Sequence, residues 1–393
     1  MRLFRNIPRT VLLLGLASLF TDIASEGTFS ILFLFLTQAL GAGPLYLGVI
    51  EGTAESTASL LKVFSGFWTD RLARRKPLIL WGYGLSGFFR PFIALARAWP
   101  AVLFFRFIDR VGKGLRASPR DALIADAART GNRGALYGFH SSMDNAGALL
   151  GPLLAALLLY ATSWGFRRII GFSILPGLAA VLCLALVREK PRPVPSRKGR
   201  LDLRGDWGKF GGGFKFLLLV LLIFTLGNST DAFLLVRLSQ VGVPVPAIPL
   251  LWGLHSGVRM LASLKGGGWS DRWGRKPVIL SGWAYYAAVY LAFAFFSGKG
   301  AVVAVFLAYG LFHGLCEPSE KALVADLAPS SLRGTAFGYY NLMVGLGMLP
   351  ASLIFGWIGG RWGYPSAFAT GAGFAGLASL LLLFVRVPRR GRA

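Results

Sequence analysis

The chain is poor in charge and poorer still in acid. Charged residues make up 15% of its 393 positions, and only 17 are Asp or Glu. A soluble chain of this length needs far more polar surface. Its two cysteines, Cys183 and Cys316, both sit in apolar runs, so no disulfide framework is indicated. The sequence has no P-loop, no Gly-x-Ser-x-Gly elbow and no zinc spacing, which argues against an enzyme and against a cofactor. Any work the protein does must then draw on an ion gradient, because nothing here binds a nucleotide.

What the chain does have is apolar residue, 54% of the total, with a mean hydropathy of +0.59. Apolar runs of about 20 residues recur between Gly, Pro and basic clusters, the pattern of a polytopic membrane protein. Spans are expected near 11–37, 45–68, 77–97, 100–124, 135–159 and 166–187, then near 215–238, 245–268, 277–297, 300–325, 335–358 and 364–386. The opening MRLFRNIPRT-VLLLGLASLF has the shape of a signal peptide. Apolar character resumes after Asp22 and Glu26, however, so it reads as a retained first helix. The stretch REKPRPVPSRKGRLDLRGDWGKFGGG cannot cross a bilayer. It divides the chain into residues 1–187, a linker over 188–214, and residues 215–393.

A net charge of +25 suggests nucleic acid at first sight. The basic residues gather instead at span ends, where positive charge orients helices in the bilayer. Arg2, Arg5, Arg9, Arg71, Arg74, Arg75, Lys76, the linker, Arg272, Arg275, Lys276 and the terminal RVPRRGR fall on one side. This predicts a multi-pass protein of the cell (inner) membrane with both termini cytoplasmic, in contact with lipid and not with nucleic acid. The halves also repeat. DRLARRKPLIL at 70–80 returns as DRWGRKPVIL at 271–280, ALIAD at 122–126 as ALVAD at 322–326, and RGALYGF at 133–139 as RGTAFGY at 333–339. Six spans duplicated is a transporter architecture.

On these residues the chain resembles the major facilitator superfamily over its whole length. The family's loop between helices 2 and 3 reads Gly-x-x-x-Asp-Arg-x-Gly-Arg-Lys/Arg. Gly66, Asp70, Arg71, Arg74 and Arg75 follow it, with Ala73 in place of the second glycine. Gly267, Asp271, Arg272, Gly274, Arg275 and Lys276 follow it in full. The resemblance implies an all-α fold of twelve membrane helices, as two six-helix bundles related by a pseudo-two-fold axis, working as a monomer. It also implies that these residues latch a cytoplasmic gate. A tight turn there calls for glycine, and Asp126 and Asp326, closing helices 4 and 10, are the natural partners of the arginines. The plainer reading of the same residues is charge that only orients the spans.

Helix 4 contains RFIDRVGKGLR. At about 100° per residue, Arg106, Asp109, Arg110, Lys113 and Arg116 fall within an arc of about 120°. Five such charges facing lipid would cost on the order of 10–15 kcal/mol, so the stripe must face protein or water. Asp22 and Glu26 on helix 1, Glu51, Glu55 and Lys62 on helix 2, Arg90 on helix 3, and His140, Asp144 and Asn145 on helix 5 are available to meet it. One reading makes these a buried network that ties helices together. The other makes Arg110 and Lys113 contacts for an anionic group on a substrate and Asp22 a proton carrier, with Glu26 and Glu55 next in line. Burial favours the neutral carboxyl and a basic neighbour favours the carboxylate. The family fold implies that helices 1 and 4 line the central path.

In the second half Asn228 and Asp231 sit on helix 7, His255 and Arg259 on helix 8, and His313 and Glu317 on helix 10. The last two pairs are spaced to share a helix face. Histidine titrates near neutral pH and suits proton coupling, although a satisfied polar residue between helices explains each equally well. The repeat aligns His313 with Lys113. Asp231, His255, His313, Cys316 and Glu317 are potential metal ligands, but no ligand spacing supports a metal site and neighbouring arginines oppose a cation. Finally, helix 5 reads GALLGPLLAA. Gly147, Gly151 and Pro152 match the Gly-x-x-x-Gly-Pro motif of antiporting exporters, with Ala155 and Ala156 in place of a final glycine pair. Packing alone also explains small residues four apart.

The function expected from all this is proton-coupled efflux of a small organic molecule by alternating access. The alternatives are a proton-coupled importer of an organic anion, a metal exporter, and a sensor that transports nothing.

Overall fold

The computed structural model describes residues 7–41, 44–128, 132–162, 164–189, 191, 207–229, 231–244 and 247–385, and among them all regular secondary structure is helical. Twelve spans follow in order: α1 (Arg9–Leu34), α2 (Pro44–Arg71), α3 (Lys76–Phe89), α4 (Trp99–Ala127), α5 (Arg133–Ala161) and α6 (Phe166–Phe172, resuming as Ile174–Ala185) form the first set. The second set is α7 (Gly212–Gly227, resuming as Ala232–Gln240), α8 (Ile248–Trp273), α9 (Arg275–Phe295), α10 (Lys299–Leu327), α11 (Arg333–Trp362) and α12 (Tyr364–Leu382). The 26 residues of α1 give roughly 39 Å at 1.5 Å per residue, enough to cross a hydrocarbon core of about 30 Å.

By length and composition alone, only eight of these are apolar enough to cross a membrane. The other four are α2, α4, α7 and α8. Three of them carry charge along their length, and α7 is interrupted. It stops at Gly227, with Asn228 out of helical conformation at φ −103°, ψ 81°. The Tyr286 hydroxyl donates to the freed Gly227 carbonyl at 2.8 Å, which satisfies in protein a backbone group that lipid could not.

Within each half α1 packs on α5, α2 on α4, α8 on α10 and α9 on α12. Between the halves, α5 packs on α8 and α2 on α11. The two cores differ in kind. The first half buries ion pairs, whereas the second buries aromatic rings, with Phe224 stacked on Trp283 at 4.5 Å and Tyr286 on Tyr290 at 4.1 Å.

Most of the expected linker, and Arg2, Arg5, Thr230 and the RVPRRGR tail, lie outside the described residues, as do the side chains of Phe33 and Glu51. The end of the linker is not loose. Trp207 lies edge-on to Tyr339 of α11 at 5.1 Å, Phe210 stacks on Phe214 at 4.5 Å, and α7 starts at Gly212, earlier than its hydropathy indicates.

Candidate functional site

A cavity of about 440 Å³ opens between the halves. The first half contributes mostly charge to its wall, and the second contributes Leu221, Phe224, Phe312, Val344 and Met348 beside a larger set of polar and charged groups. A chamber of about 200 Å³ shares Asp22, Glu26, Asp144 and Glu317 with it and reaches Trp252, Ser256 and Arg259 of α8.

The α4 stripe divides into two parts. Asp109 is buried between two guanidinium groups, accepting from Arg90 at 2.6 Å and from Arg106 at 3.2 Å. Arg90 also donates to the Thr21 carbonyl of α1 at 3.3 Å. Arg116 donates to Ser86 at 2.7 Å and lies 4.3 Å over the Tyr83 ring, while Ser86 donates to the Asp109 carbonyl at 2.8 Å. These groups pin α4 to α3 and α1. Arg106 stands behind the cavity wall, although Arg90, Asp109 and Arg116 still show a face to the cavity. Further along, Arg110 and Lys113 share one carboxylate oxygen of Glu55, at 3.0 and 3.4 Å. Both line the cavity, and Lys113 is 38% exposed. Glu55 itself is off the wall and reaches it only through these two.

The α1 carboxylates behave differently. Asp22 and Glu26 line both chambers, yet neither side chain takes part in a hydrogen bond or ion pair among the described residues. The same holds for the Lys62 ammonium across the cavity on α2. The helix 5 motif explains how α1 is held. A Cβ on Gly147 would come within 2.7 Å of the Asp22 Cβ, and one on Gly151 within 2.7 Å of the Gly27 nitrogen. Only hydrogen at these positions lets the two backbones touch. Pro152 follows inside the unbroken α5.

At the end of the cavity nearest the basic loops, Asp144 and Glu317 meet four charges that the sequence patterns do not single out, Arg120, Asp121, Glu320 and Lys321. Arg120 holds Asp121 at 3.1 Å and lies 4.0 Å from Asp144. Lys321 of α10 bridges Glu317 at 3.0 Å and Asp121 at 3.6 Å. Glu320 accepts from the Trp283 indole at 2.9 Å and the Tyr340 hydroxyl at 3.2 Å. The available signal was the repeat itself, which sets Arg120–Asp121 against Glu320–Lys321 with the charges reversed.

Of the remaining second-half groups, His313 and Glu317 line the cavity, whereas His255 and Asp231 lie behind it. His255 is fully buried, packed against the Phe306 and Trp252 rings at 4.9 and 5.6 Å, with its Nδ1 3.0 Å from the Phe306 carbonyl. Asp231 accepts from Tyr309 at 3.2 Å. Among the described residues no three His, Cys, Asp or Glu side chains converge on a point where a metal ion could sit.

On the basic face the halves are tied symmetrically. Asp70 accepts from the backbone N–H of Gly334 (3.0 Å) and Thr335 (2.6 Å), at the N-terminus of α11. Asp271 does the same for Gly134 (3.2 Å) and Ala135 (2.7 Å) at the N-terminus of α5. Unpaired N–H groups and the helix dipole both favour a carboxylate there. Arg75 lies 3.3 Å from Asp70 and from Asp126, and Arg333 reaches Asp126 at 2.6 Å. In the other half Arg275 contacts Asp271 (2.5 Å) and Asp326 (3.0 Å), and Arg133 joins Asp326. Gly66 and Gly267 are not turn residues. They sit at helix crossings, where a methyl group would strike the carbonyls of Gly334 and Gly134. The turn glycine is Gly274, at φ 95°. Arg71 donates back to the Phe67 carbonyl at 3.0 Å. Arg74 and Arg272 are exposed. The helix C-terminal carbonyls are met by lysines instead, Lys76 on Ala185 and Val187 at 2.7 Å each, and Lys276 on Leu383 and Val385.

The family model described as Major Facilitator Superfamily matches residues 14–264 and 218–393. An uncharacterized MFS-type transporter of Methanocaldococcus jannaschii is 32% identical over 388 residues, 97% of this chain and 96% of its own. The multidrug resistance protein MdtH of Photorhabdus laumondii is 23% identical over 87% of this chain and 83% of its own. Among solved structures, the human organic anion transporter MFSD10 (TETRAN) superposes with a TM-score of 0.80 at 17% identity, covering 95% of this chain and 99% of that one.

Proposed function

The chain belongs to the major facilitator superfamily, and on that premise we propose that this transporter exports a small organic molecule in exchange for protons, by alternating access to the central cavity. The observation that carries this reading is the pair Asp22 and Glu26, set in the cavity wall without a side-chain hydrogen bond or ion pair among the described residues. A carboxylate in a low-dielectric wall is stabilised by a proton or by a polar or cationic group of a ligand. Alternation between the two is antiport. Support for the outward direction comes from the α5 glycines packed against Asp22 and from the likeness to a protein named for multidrug resistance.

In this reading the two bundles are residues 1–187 and 215–393, joined by 188–214. The basic face is cytoplasmic in the inner membrane, and the symmetric contacts of Asp70 and Asp271 hold the gate on that face shut while the protein works as a monomer. A second reading, import of an organic anion with protons, is favoured by Lys62, whose ammonium is unpaired among the described residues, and by Arg110 and Lys113 sharing one carboxylate.

The test is proton movement in proteoliposomes of the purified protein, screened against organic anions and cationic drugs, with Asp22→Asn beside wild type. Protons moving opposite to substrate, with Asp22→Asn losing gradient-driven flux but keeping counterflow exchange, support the exporter. Protons moving with substrate give the importer. Intact coupling in Asp22→Asn removes that residue from the carrier role.

A further inference from the structure

The cavity wall has as many acidic as basic side chains, so it selects no net charge, and yet charges of both signs stand free in it. On α1 these are Asp22 and Glu26; on α2 it is Lys62. None of the three side chains makes a hydrogen bond or ion pair among the described residues. Lys113 adds a half-exposed ammonium whose partner, Glu55, is already held by Arg110 at the shorter distance. Elsewhere in the same cavity opposite charges meet directly, as Lys321 and Glu317 do at 3.0 Å. The free acids and the free bases are thus held apart on different helices when pairing would be favourable. A ligand carrying one charge would satisfy one wall and leave the other uncompensated. A ligand carrying both satisfies both. The opposite wall adds an apolar strip, Leu221, Phe224, Phe312, Val344 and Met348, set among polar groups such as Asn228 and Asn341.

We propose that the substrate is a zwitterionic amphiphile, a molecule with an amino-acid-like head bearing ammonium and carboxylate on an apolar or aromatic body. Its ammonium meets Asp22 and Glu26, its carboxylate meets Lys62 and Lys113, and its body lies against Phe224, Phe312 and Met348. The about 440 Å³ of the cavity accommodates a ligand of amino-acid to small-peptide size. This assignment rests on the transport reading above and gives it chemistry, because the ammonium and the exchanged proton then compete for the same α1 carboxylates.

Three probes separate the head groups while keeping one body: L-phenylalanine, phenethylamine, which lacks the carboxylate, and 3-phenylpropionate, which lacks the ammonium. Their affinities for the purified full-length protein are measured by calorimetry. The expected result is that L-phenylalanine binds roughly tenfold to a hundredfold more tightly than either analogue, the range for removing a single charge-assisted hydrogen bond. Glu26→Gln then erases its advantage over 3-phenylpropionate, and Lys62→Gln its advantage over phenethylamine. Lys113→Gln replaces the latter variant should it fail to fold. A singly charged analogue binding as tightly as L-phenylalanine, or no binding of any of the three, overturns the proposal. Failure of the transport reading looks different: L-phenylalanine binds with the expected preference, but labelled L-phenylalanine does not exchange across proteoliposome membranes.

Discussion

Lys321 stands 3.6 Å from Asp121, and the internal repeat makes the two positions equivalent. A pseudo-symmetric site has become an ion pair across the axis, closing the cavity on its basic side. Arg120 and Glu317 fix its polarity, since each already neutralises one member at 3.1 and 3.0 Å. The native thiol Cys316 lines the same cavity. In a Cys183→Ser background, Lys321→Gln is expected to raise the rate at which a soluble maleimide labels Cys316 from the basic face by about tenfold, a typical coupling energy between two conformations. An unchanged rate would show that the pair does not hold the halves together.

Asp109 and Lys113 lie one turn apart on α4 and answer different demands. Replacing Asp109 removes the carboxylate that neutralises the fully buried Arg90, a change that costs about 3–5 kcal/mol. Asp109→Asn is therefore expected to lower the thermal midpoint strongly or prevent accumulation of folded protein. Lys113→Gln leaves Glu55 held by Arg110 in a partly wet site, so stability changes by about 1 kcal/mol or less while substrate flux falls. Thermal unfolding and flux measured on the same preparations decide this. Equal midpoints for the two variants would remove the division of the stripe.

The span order was legible in the sequence because apolar periodicity needs no partner, and even charged α2 and α4 could be placed through their neighbours. The repeat supplied the paired loops. The roles of the helix 4 charges were not legible, since Arg106 and Lys113 share a face in sequence and differ in the groups that meet them, Asp109 and the Phe29 ring of α1 for one and Glu55 of α2 for the other. Asp70 and Asp271 illustrate the same limit. The arginines around them suggest ion pairs, and Arg75 and Arg275 make them, but both carboxylates also accept from backbone N–H groups of a helix in the opposite half, which no side-chain pattern announces. Arg120, Asp121, Glu320 and Lys321 sit at span ends, where charge reads as topology.

The crossings at Gly66 and Gly267 give a test with an internal control. A side chain at either would strike a backbone carbonyl of the opposing half, and backbone cannot move aside as a flexible side chain can. Gly268 is adjacent on the same helix and has nothing within 4 Å of where its Cβ would be. Replacing any of the three with Val changes intrinsic helix preference by similar small amounts. Gly66→Val and Gly267→Val are therefore expected to hold the basic face open, seen as a longer distance between spin labels on α2 and α11 or on α5 and α8, with flux lost. Gly268→Val keeps wild-type distances and flux. If all three behave alike, the effect belongs to helix propensity and the close crossings do not control closure.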